Sequence, residues 1–412
     1  MKIIVIGAGI IGTVTAWHLA QRGHQVTVID RFAGAGKGAS AANGAQLSYG
    51  YIEPLADPSL LLSLPKWLLA KDAPFKLHVQ PDPAMWRWCG QFFKECKPKA
   101  FQKNREALFH LALYSKQVME AFLAEYPIPF FYHQHGKLHL YGDKKSWEDA
   151  KDGAQWKEQL GYPQEILSAE ACITREPSLA GYYEKIAGGI FSPGDAAGDS
   201  FAFIQNLIQL MQEKDLPVRF EFNTSCKALL TEQGKLRALE TDKGTMEADS
   251  YVVAAGVYSA KLLHGIGINV PIYPVKGHSI TVPIRDMAKV PDASITDHRR
   301  RMVYARLGDN MRVAGFADLG GYNTSCSESR INNLKQGLEA TFPGGCDTSI
   351  LSPWAGLRPV TPHSRPIISK TGYANLYLNI GHGMLGWTLA QGSAALLADI
   401  IENKSINLLF NN

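Results

Sequence analysis

The stretch KIIVIGAGIIGTVTAWHLAQRG, residues 2–23, decides the fold of this chain. A short β-rich run ends in glycine, and a helical pattern follows it until Gly23. The glycines Gly7, Gly9 and Gly12 have the spacing G-x-G-x-x-G. In that motif the first glycine allows a tight turn, the second lets the backbone approach a pyrophosphate, and the third lets helix and strand pack closely. The helix N-terminus then attracts the anion.

A second strand, QVTVID, ends at Asp30. It follows the last glycine at the spacing of about 20 residues at which an acidic side chain binds the ribose hydroxyls of a dinucleotide. With the strand, the helix and the acid all in place, we expect a dinucleotide site at this end of the chain. The alternative is a glycine-rich strand–helix turn that binds nothing. The motif alone does not separate NAD from FAD.

The segment after Asp30, residues 31–51, reads RFAGAGKGASAANGAQLSYGY and is rich in small residues. A loop of this length is uncommon inside a compact domain unless it is functional. Small residues allow the backbone to contact a flat ring or a phosphate closely. We therefore expect this loop to touch the cofactor, with Ser40, Asn43 and Gln46 as its polar candidates.

Composition limits the class of protein. The chain has 412 residues, of which 46% are hydrophobic and 19% charged, and its net charge is +4. These values predict a globular protein with two domains or one elaborate domain. The basic run HRRR at 298–301 stands alone, so we expect no nucleic acid partner.

The six cysteines form no C-x-x-C pair and no cluster with histidine. We expect neither a metal site nor a disulfide framework, and a cytoplasmic, reducing location. The apolar first residues resemble a signal sequence only superficially, because their glycines are too regularly placed. The sequence has no run of about 18 uninterrupted apolar residues, so we expect no membrane-spanning helix.

The region from Glu53 to Trp147 has helical patterns rich in aromatic residues. Most of its apolar positions are expected to pack helices together. Residues 59–70 also allow a second interpretation, because several leucines and Trp67 lie beside lysines such as Lys66. Such a stretch is typical of a patch that contacts a membrane surface or a partner. A peripheral location on the inner face of the cytoplasmic membrane follows from that interpretation.

Later segments alternate between strand patterns. SYVVAAG, residues 250–256, places Ala255 and Gly256 at the carboxyl end of a probable parallel strand, where ligands bind in a doubly wound sheet. The blocks 269–284 and 302–323 instead predict an inserted antiparallel sheet. We expect an α/β fold, α+β overall, in which a Rossmann-like FAD-binding domain carries an inserted domain of antiparallel sheet and helices. The expected division assigns 1–50, 195–265 and 350–412 to the FAD-binding domain, and 51–194 and 266–349 to the substrate-binding domain.

Arg358 lies in WAGLRPVTP, in a segment pinned by Pro359 and Pro362. A guanidinium held in a fixed direction suits a carboxylate, which it binds through two parallel charge-assisted hydrogen bonds. The alternative is an arginine that ties the segment to a backbone carbonyl. Because the strand after it feeds a glycine-rich helix start, we expect Arg358 to lie near whatever that helix binds.

That helix start is NIGHGMLGWTLAQGS, residues 379–393. It supplies unpaired backbone N–H groups and the positive end of a helix dipole. Since the pyrophosphate already has a site at residues 7–12, a second positive helix end predicts a second anionic centre in the same ligand. A reduced flavin provides one, around its N1 and C2 carbonyl, whereas nicotinamide becomes neutral when it accepts hydride. This argument favours FAD over NAD.

Seven segments extend the pattern over nearly the whole chain: VIGAGIIG, SAANGAQLSYGY, GGIFSPGDAAGD, YPVKGHSIT, RVAGFADLGGYN, WAGLRPVTP and NIGHGMLGWT. In this order they resemble the bacterial D-amino acid dehydrogenases of the small-subunit type, within the wider D-amino acid oxidase and glycine oxidase group. The resemblance implies a two-domain flavoprotein with noncovalent FAD. It also implies oxidative deamination of D-amino acids to 2-oxo acids and ammonia, by hydride transfer from the α-carbon to flavin N5. The electrons would pass to a quinone or another respiratory-chain carrier.

The resemblance and the residue patterns together give the expected site. The expected FAD-contacting residues are Gly7, Gly9, Ile10, Ile11, Gly12, Asp30, Arg31, Ser40, Asn43, Gly44, Gln46, Cys226, Ala255, Gly256, Gly381, His382, Gly383, Met384, Leu385, Gly386, Trp387 and Thr388. The expected substrate-binding residues are Arg358, Tyr49, Tyr51, Tyr273, His278 and Tyr304. Arg358 and His382 are the expected catalytic residues, although the glycines around His382 favour a backbone role for it over that of a general base.

The chain departs from the family pattern in ways that bear on side-chain preference. His278 stands where the family has an aromatic hydroxyl, NGAQ replaces NAGQ, and PHSRP replaces PDGTP. Two other functions stay open at this point. One is oxidation of glycine, sarcosine or a proline-type secondary amine, and the other is a dinucleotide-binding module without turnover.

Overall fold

The computed structural model describes residues 1–60 and 74–404. The helices bounded within these ranges are α1 (Ile10–Gln21), α2 (Pro83–Glu95), α3 (Pro98–Glu125), α4 (Lys144–Gln159), α5 (Ala169–Arg175), α6 (Ser200–Glu213), α7 (Ser259–His264), α8 (Glu328–Thr341) and α9 (Gly386–Ile401). Short 3-10 helices span Pro177–Lys185, Gly256–Tyr258 and Met287–Lys289.

The strands begin with β1 (Lys2–Ile6), β2 (Gln25–Ile29), β3 (Gln46–Leu47), β4 (Phe75–Leu77), β5 (Lys137–Tyr141), β6 (Glu165–Ser168), β7 (Gly188–Ser192), β8 (Ala196–Ala197), β9 (Val218–Glu221) and β10 (Cys226–Glu232). They continue with β11 (Lys235–Thr241), β12 (Gly244–Met246), β13 (Ser250–Val253), β14 (Tyr273–Pro283), β15 (Ser294–Asp297), β16 (Met302–Leu307), β17 (Asn310–Leu319), β18 (Ser352–Val360), β19 (Ile367–Lys370) and β20 (Leu376–Ile380).

The first large sheet has the strand order β19-β20-β13-β1-β2-β9. Its strands run parallel except β19, which pairs antiparallel with β20. In β1 four consecutive residues, Ile3 to Ile6, are buried. A continuous apolar run of this kind is typical of a parallel strand that is covered on both faces. The sheet is therefore the middle layer of a doubly wound unit.

Two different cores cover this sheet. Ile3 and Val5 pack with α1, α3, α6 and α9, and in this layer α9 approaches α3 so closely that a Cβ on Gly392 would lie 2.8 Å from the Ser115 Cα. Ile4 and Ile6 pack on the opposite face with α7 and the three-stranded sheet β10-β11-β12. The alternation along β1 thus places one helical layer and one mixed layer on the two faces.

The second large sheet has nine strands in the order β18-β14-β17-β16-β15-β5-β7-β6, with β4 pairing beside β17. Most neighbours are antiparallel, but β15 runs parallel to β5 and β4 runs parallel to β17. Leu334 and Leu338 of α8 pack against Ile280 and Val313 on one face of this sheet. The opposite face contributes residues to a large cavity.

One strand lies differently from the expected domain division. β18, which the sequence places in the FAD-binding piece 350–412, pairs antiparallel with β14 from Tyr273 opposite Val360 to Thr281 opposite Ser352. It therefore belongs to the nine-stranded sheet, and only β19 and β20 return to the parallel sheet. The hydrogen-bonding partner of a strand decides its sheet, and sequence distance does not reveal that partner.

Among the described residues no helix is long and apolar enough to cross a membrane. Of the stretch 59–70, where we expect a lipid or partner patch, residues 61–70 lie outside the described residues. All six cysteines are free thiols. In the ranges 1–60 and 74–404, His, Cys, Asp and Glu side chains form no group of three that could hold a metal ion.

Candidate functional site

A cavity of about 1590 Å³ lies between the two large sheets. It exceeds the range of roughly 300–1,000 Å³ that suits a small ligand. Its wall includes the glycine-rich turn after β1, the carboxyl end of β2 and the turn that begins α9. These are the positions at which doubly wound sheets bind ligands. All the residues that we expect to contact FAD line this cavity, with the exception of Gly12.

The glycine turn requires glycine at both ends. Gly7 has φ +112°, and a Cβ there would lie 2.5 Å from the Ala254 carbonyl oxygen. A Cβ on Gly12 would lie only 1.8 Å from the Gly7 carbonyl oxygen. Gly12 therefore contributes the close packing of α1 on β1 rather than a surface of the cavity. This is the role that the motif assigns to its third glycine.

The N-terminus of α1 faces the cavity. Its N-cap residue, Gly9, makes no side-chain cap, and the N–H of Ile10 donates to the Ser40 hydroxyl at 3.0 Å. Ile10 and Ile11 both line the cavity. Free N–H groups and the helix dipole make this end suitable for a phosphate.

Asp30 lies beside that helix end, with its carboxylate held by two backbone donors. The N–H of Ala8 donates to Oδ2 at 2.7 Å, and the N–H of Phe32 donates to Oδ1 at 2.9 Å. Each oxygen keeps a lone pair for a further donor. Asp30 can therefore accept from ligand hydroxyls in a fixed orientation.

Neighbouring residues complete this end of the cavity. The Arg31 guanidinium stacks 3.7 Å from the centroid of the Tyr258 ring, a residue that the sequence pattern did not single out. Ala255 and Gly256 line the same region. Burial raises the pKa of the Cys226 thiol to about 12. The thiol is therefore a protonated packing group rather than a nucleophile.

The loop after Ser40 is fastened to the second sheet. Arg312 of β17 donates to the Asn43 carbonyl at 2.9 Å, to Thr281 at 2.7 Å and to Asp199 at 3.3 Å. A Cβ on Gly44 would lie 3.1 Å from Val303, so the loop backbone lies close to β16. Arg312 is a structural anchor that the sequence analysis missed, since nothing in RVAGF shows which carbonyl the arginine contacts.

Gln46 and Thr388 connect this loop to the second helix end. The Gln46 amide donates to the Ile295 carbonyl at 3.2 Å, and the N–H of Ser48 donates to the Thr388 hydroxyl at 3.1 Å. α9 begins at Gly386 with no side-chain cap. Its free N–H groups and those of the preceding turn, residues 381–385, line the cavity.

The turn before α9 is tied to β18. Gly381 and Gly383 have φ values of +79° and +54°, which favour glycine. His382 forms a β-bridge with Val360, and the N–H of Gly383 donates to the Pro359 carbonyl at 2.9 Å. Within this turn the Met384 side chain is half exposed. The backbone of the turn, rather than its side chains, is thus positioned for a ligand.

His382 is buried, and its Nε2 lies 3.1 Å from the Ser393 hydroxyl of α9. Burial lowers the pKa of its imidazole to about 3. A neutral ring that is hydrogen bonded within the helix packing does not support the role of general base. The expected alternative, a backbone contribution, fits this geometry.

Arg358 lies on β18 with its guanidinium directed over β14. Its Nη1 donates to the Phe316 carbonyl at 2.7 Å, and a Cβ on Gly277 would come within 2.3 Å of Nη2. Phe316 has φ +66°, which turns its backbone within β17. Burial lowers the pKa of Arg358 to about 10, with Asp318 acting in the opposite direction. The guanidinium is therefore a buried cation at neutral pH on the cavity wall.

His278 lines the cavity near Arg358. Its Nδ1 lies 3.9 Å from the Asp318 carboxylate, which in turn binds Arg330. The Ser327 N–H donates to its Nε2 at 3.5 Å. Burial lowers the pKa of His278 to about 4. At neutral pH the ring is uncharged, so it offers hydrogen bonding and shape rather than charge.

Among the tyrosines that we expect to bind substrate, Tyr51 lines the cavity, and Tyr49, Tyr273 and Tyr304 do not. Tyr49 is buried in the core beside the first sheet. The Tyr273 hydroxyl donates to Asp82 at 2.8 Å, and the Tyr304 hydroxyl lies 3.2 Å from Thr341. For Tyr304 the reason is strand alternation, because its neighbour Val303 takes the cavity-facing position.

One region of the cavity was not predicted as a site at all. We call it the polar arm and define it by Ser48, Tyr51, Lys137, His139, Thr296 and His298, all of which line the cavity. Lys137 and His139 come from GKLHLYGD, which the sequence analysis read only as a strand. The signal was present, because polar residues at i and i+2 of a strand share one face.

The polar arm is closely packed. The Lys137 ammonium donates to the Ser48 hydroxyl at 2.6 Å, and the His139 Nδ1 lies 3.1 Å from the His298 Nε2. The Tyr51 ring stacks 4.4 Å from that of His139. Burial lowers the pKa of Lys137 to about 8, that of His298 to about 3 and that of His139 well below its ordinary value. Both imidazoles are thus neutral at pH 7.

Known proteins resemble this chain over nearly its full length. A family model described as FAD dependent oxidoreductase matches residues 2–400. A D-amino acid dehydrogenase of Vibrio cholerae serotype O1 is 39% identical over 403 residues, covering 98% of this chain and 95% of that protein. A D-amino acid dehydrogenase of Paramagnetospirillum magneticum is 40% identical over 405 residues, covering 98% and 96%.

Solved structures give the same fold at lower identity. Glycine oxidase from Bacillus cereus superposes with a TM-score of 0.75 at 21% identity, covering 99% of this chain and 97% of that one. L-proline dehydrogenase from P. horikoshii gives a TM-score of 0.75 at 18% identity, covering 99% and 95%. At these identities the likeness concerns the fold alone.

Proposed function

The chain belongs to the FAD dependent oxidoreductase family, and from that premise we propose that it oxidises D-amino acids to 2-oxo acids and ammonia. The relatives in Vibrio cholerae and Paramagnetospirillum magneticum, at 39% and 40% identity over 98% of the chain, support this activity. The observation that carries the proposal is a buried, charged arginine, Arg358, on the wall of the same cavity as two free helix N-termini.

The residues of the cavity fit FAD. The Gly7–Gly12 turn and the α1 N-terminus would hold the pyrophosphate, and Asp30 would accept from the adenosine ribose hydroxyls. The second helix end, at Gly386, has no side-chain cap and would lie at the anionic edge of the ring system. When bound, FAD accepts at its N5 the hydride that leaves the substrate α-carbon.

Arg358 would hold the substrate carboxylate. Within the described residues the one printed hydrogen bond of its guanidinium uses Nη1, on the Phe316 carbonyl, so Nε and Nη2 remain for a ligand. A guanidinium bound on one side by a carbonyl cannot rotate freely, which fixes the direction of the carboxylate. Positioning of this kind supplies much of the rate enhancement in a reaction without a covalent step.

Side chains near Arg358 favour loss of hydride from a neutral amine. His278 and His382 are both uncharged at neutral pH because burial lowers their pKa values to about 4 and about 3. Neither ring adds positive charge beside the developing iminium. The His278 ring would contact the amine or the side chain, and Tyr51 would contact the side chain.

The electron acceptor is a separate part of the proposal. We propose a quinone or another respiratory-chain carrier, on the basis of the family resemblance in the sequence. A peripheral contact of residues 59–70 with the membrane would bring the protein close to such a carrier. Deletion of residues 59–70 should then reduce the fraction of protein that sediments with membranes, and an unchanged fraction would remove this part.

Anaerobic reduction of the flavin tests the proposal. The purified holoprotein would be mixed with a panel of D-, L- and N-methyl amino acids, and bleaching of the flavin absorbance would be followed. We expect bleaching by D-amino acids and at least a 100-fold slower reaction in Arg358→Leu, on the scale of roughly 100-fold that misplacement of a reactant costs. Bleaching only by glycine, sarcosine or proline would favour a secondary-amine enzyme. No bleaching by any amine would favour a binding module.

A further inference from the structure

The polar arm has no role in the reaction described above, yet it forms part of the same cavity. Its lysine and its two histidines are buried far more than such residues ordinarily are. A protein interior tolerates buried polar atoms when each has a partner. The atoms without partners are therefore informative about what the arm holds.

Two such atoms lie side by side. Within the part of the chain that the structure describes, the His139 Nε2 and the Thr296 Oγ1 are buried and have no hydrogen-bond partner. The two residues are direct neighbours in the register of the parallel pair β15 and β5. Both residues line the cavity. A single polar group of a ligand would satisfy both atoms.

The mouth of the arm offers further unsatisfied acceptors. The Gln164 Oε1 and the Glu53 Oε2 are buried and lack partners among residues 1–60 and 74–404. Glu53 binds Lys157 at 2.7 Å through its other oxygen. The arm thus presents a hydroxyl, a neutral imidazole, an amide oxygen and a carboxylate oxygen to the same space.

Charges in and around the arm are of both signs. Lys137, Lys157 and Arg301 carry positive charge, and Glu53 and the buried Asp195 lie close enough to Lys137 to favour its charged form. A field of mixed sign gives little preference for an anion or a cation. The donors and acceptors instead match an uncharged group that both donates and accepts, such as a carboxamide.

The position of the arm limits the length of the ligand. Thr296 lies on β15, and β16 separates that strand from β17, whose Phe316 carbonyl binds Arg358. Two strand spacings correspond to about 10 Å. A substrate whose carboxylate lies on Arg358 therefore needs a side chain of several atoms to reach the arm. The methyl group of D-alanine is too short.

We propose that the polar arm binds the end of the substrate side chain and selects D-amino acids with long, uncharged, hydrogen-bonding side chains, such as D-glutamine. This inference rests on the proposed function and names the substrate class of the same site. Thr296 and His139 are then specificity-determining residues. Lys137 positions Ser48 through the hydrogen bond between them.

The test uses the isosteric variant Thr296→Val in the holoprotein. Anaerobic flavin reduction would be measured with D-glutamine, D-norleucine and D-alanine. We expect the ratio of limiting rate to apparent dissociation constant to fall about tenfold for D-glutamine, the loss that one hydrogen bond produces, mainly through the dissociation constant. D-norleucine and D-alanine should be unaffected. His139→Phe, which keeps a ring beside Tyr51, should give the same pattern.

The control is Thr245→Val, since Thr245 is exposed on β12 outside the cavity. It should leave all three substrates unchanged. Equal losses for D-alanine and D-glutamine in Thr296→Val would overturn the assignment, as would a variant in which only reoxidation by a short-chain quinone slows. Bleaching of the wild-type flavin by D-alanine but not D-glutamine would overturn the assignment and leave the proposed function intact. Bleaching by none of the three would overturn both.

Discussion

The Arg358 guanidinium lies directly over Gly277 of the neighbouring strand, where a Cβ atom would come within 2.3 Å of Nη2 and 2.5 Å of Cζ. The absence of a side chain at position 277 is therefore what allows the guanidinium to lie flat against the sheet. The arginine and the glycine form one functional unit, although they lie on different strands.

We expect Gly277→Ala to displace the guanidinium without unfolding the protein. The ratio of limiting rate to apparent dissociation constant for D-amino acids should fall roughly 100-fold, because a shift of about 1 Å in a positioning group costs that much. Anaerobic stopped-flow reduction measures it. Gly372→Ala is the matched control, since a Cβ there meets no atom within 4 Å. Unchanged kinetics in Gly277→Ala would show that the arginine does not hold the substrate.

Two glycines of the first turn should respond differently to alanine. At Gly12 the new Cβ would lie 1.8 Å from the Gly7 carbonyl oxygen, a backbone atom that cannot move aside. We expect Gly12→Ala to lower the free energy of unfolding of the apoprotein by about 3 kcal/mol, the upper range for overpacking. At Gly9 the nearest atom, the Ser40 hydroxyl, would be 3.5 Å away, which is an ordinary contact. Gly9→Ala should fold normally and bind FAD more weakly.

Urea unfolding of the two apoproteins and titration with FAD separate these outcomes. If Gly9→Ala were the less stable variant, or if it bound FAD like the wild type, the assignment of the two glycines would be reversed.

Stability should fall in acid because buried histidines are neutral in the folded state. The pKa of His382 is lowered from 6.5 to about 3 by burial, so below pH 6.5 the unfolded chain takes up a proton that the folded chain does not. The contribution of His382 is thus constant above pH 6.5 and decreases as pH falls toward about 3. Each proton corresponds to about 1.4 kcal/mol per pH unit.

We therefore expect the loss of unfolding free energy between pH 7.5 and pH 5 to be about 2 kcal/mol smaller in His382→Asn than in the wild type. Urea unfolding at the two pH values measures this difference. His135, whose pKa shows no such shift and whose side chain is exposed, offers the control His135→Asn. An equal loss in His382→Asn and the wild type would mean that the imidazole is charged in the folded protein.

Arg312 should matter for cofactor retention. It holds the Asn43 carbonyl and Asp199, and through them the loop that reaches from the nine-stranded sheet to the cavity. We expect Arg312→Gln to raise the FAD dissociation constant about tenfold or more, as loss of hydrogen bonds from a charged donor does. Release of FAD can be followed by its fluorescence. The exposed Arg219, changed to Gln, should have no effect, and equal dissociation constants for all three proteins would refute the anchoring role.

The sequence predicted what short motifs determine. Glycine spacing, a strand on one side and a helix on the other are local features, so the turn at residues 7–12 and its neighbour Asp30 could be placed at the carboxyl edge of the sheet before any contact was known. The second helix end at Gly386 could be placed for the same reason.

The sequence did not predict which residues face each other across strands. Tyr304 points away from the cavity because of the register of β16, and Tyr273 packs against α2 through Trp88. The polar arm depends on a parallel pair between β5 and β15, which are far apart along the chain. No local pattern reveals that partnership, so Lys137 and His298 could be read only as a strand residue and part of a basic run.

The β-bridge between Val360 and His382 has a mechanical consequence. Arg358 lies two residues before one end of this bridge, and the turn that begins α9 surrounds the other end. A rigid rotation of the nine-stranded sheet relative to the parallel sheet would have to break this bridge before it could separate the two. The alignment of the two reactants is thus built into a single hinge-free length of backbone, and opening motions that admit substrate must take place elsewhere around the cavity.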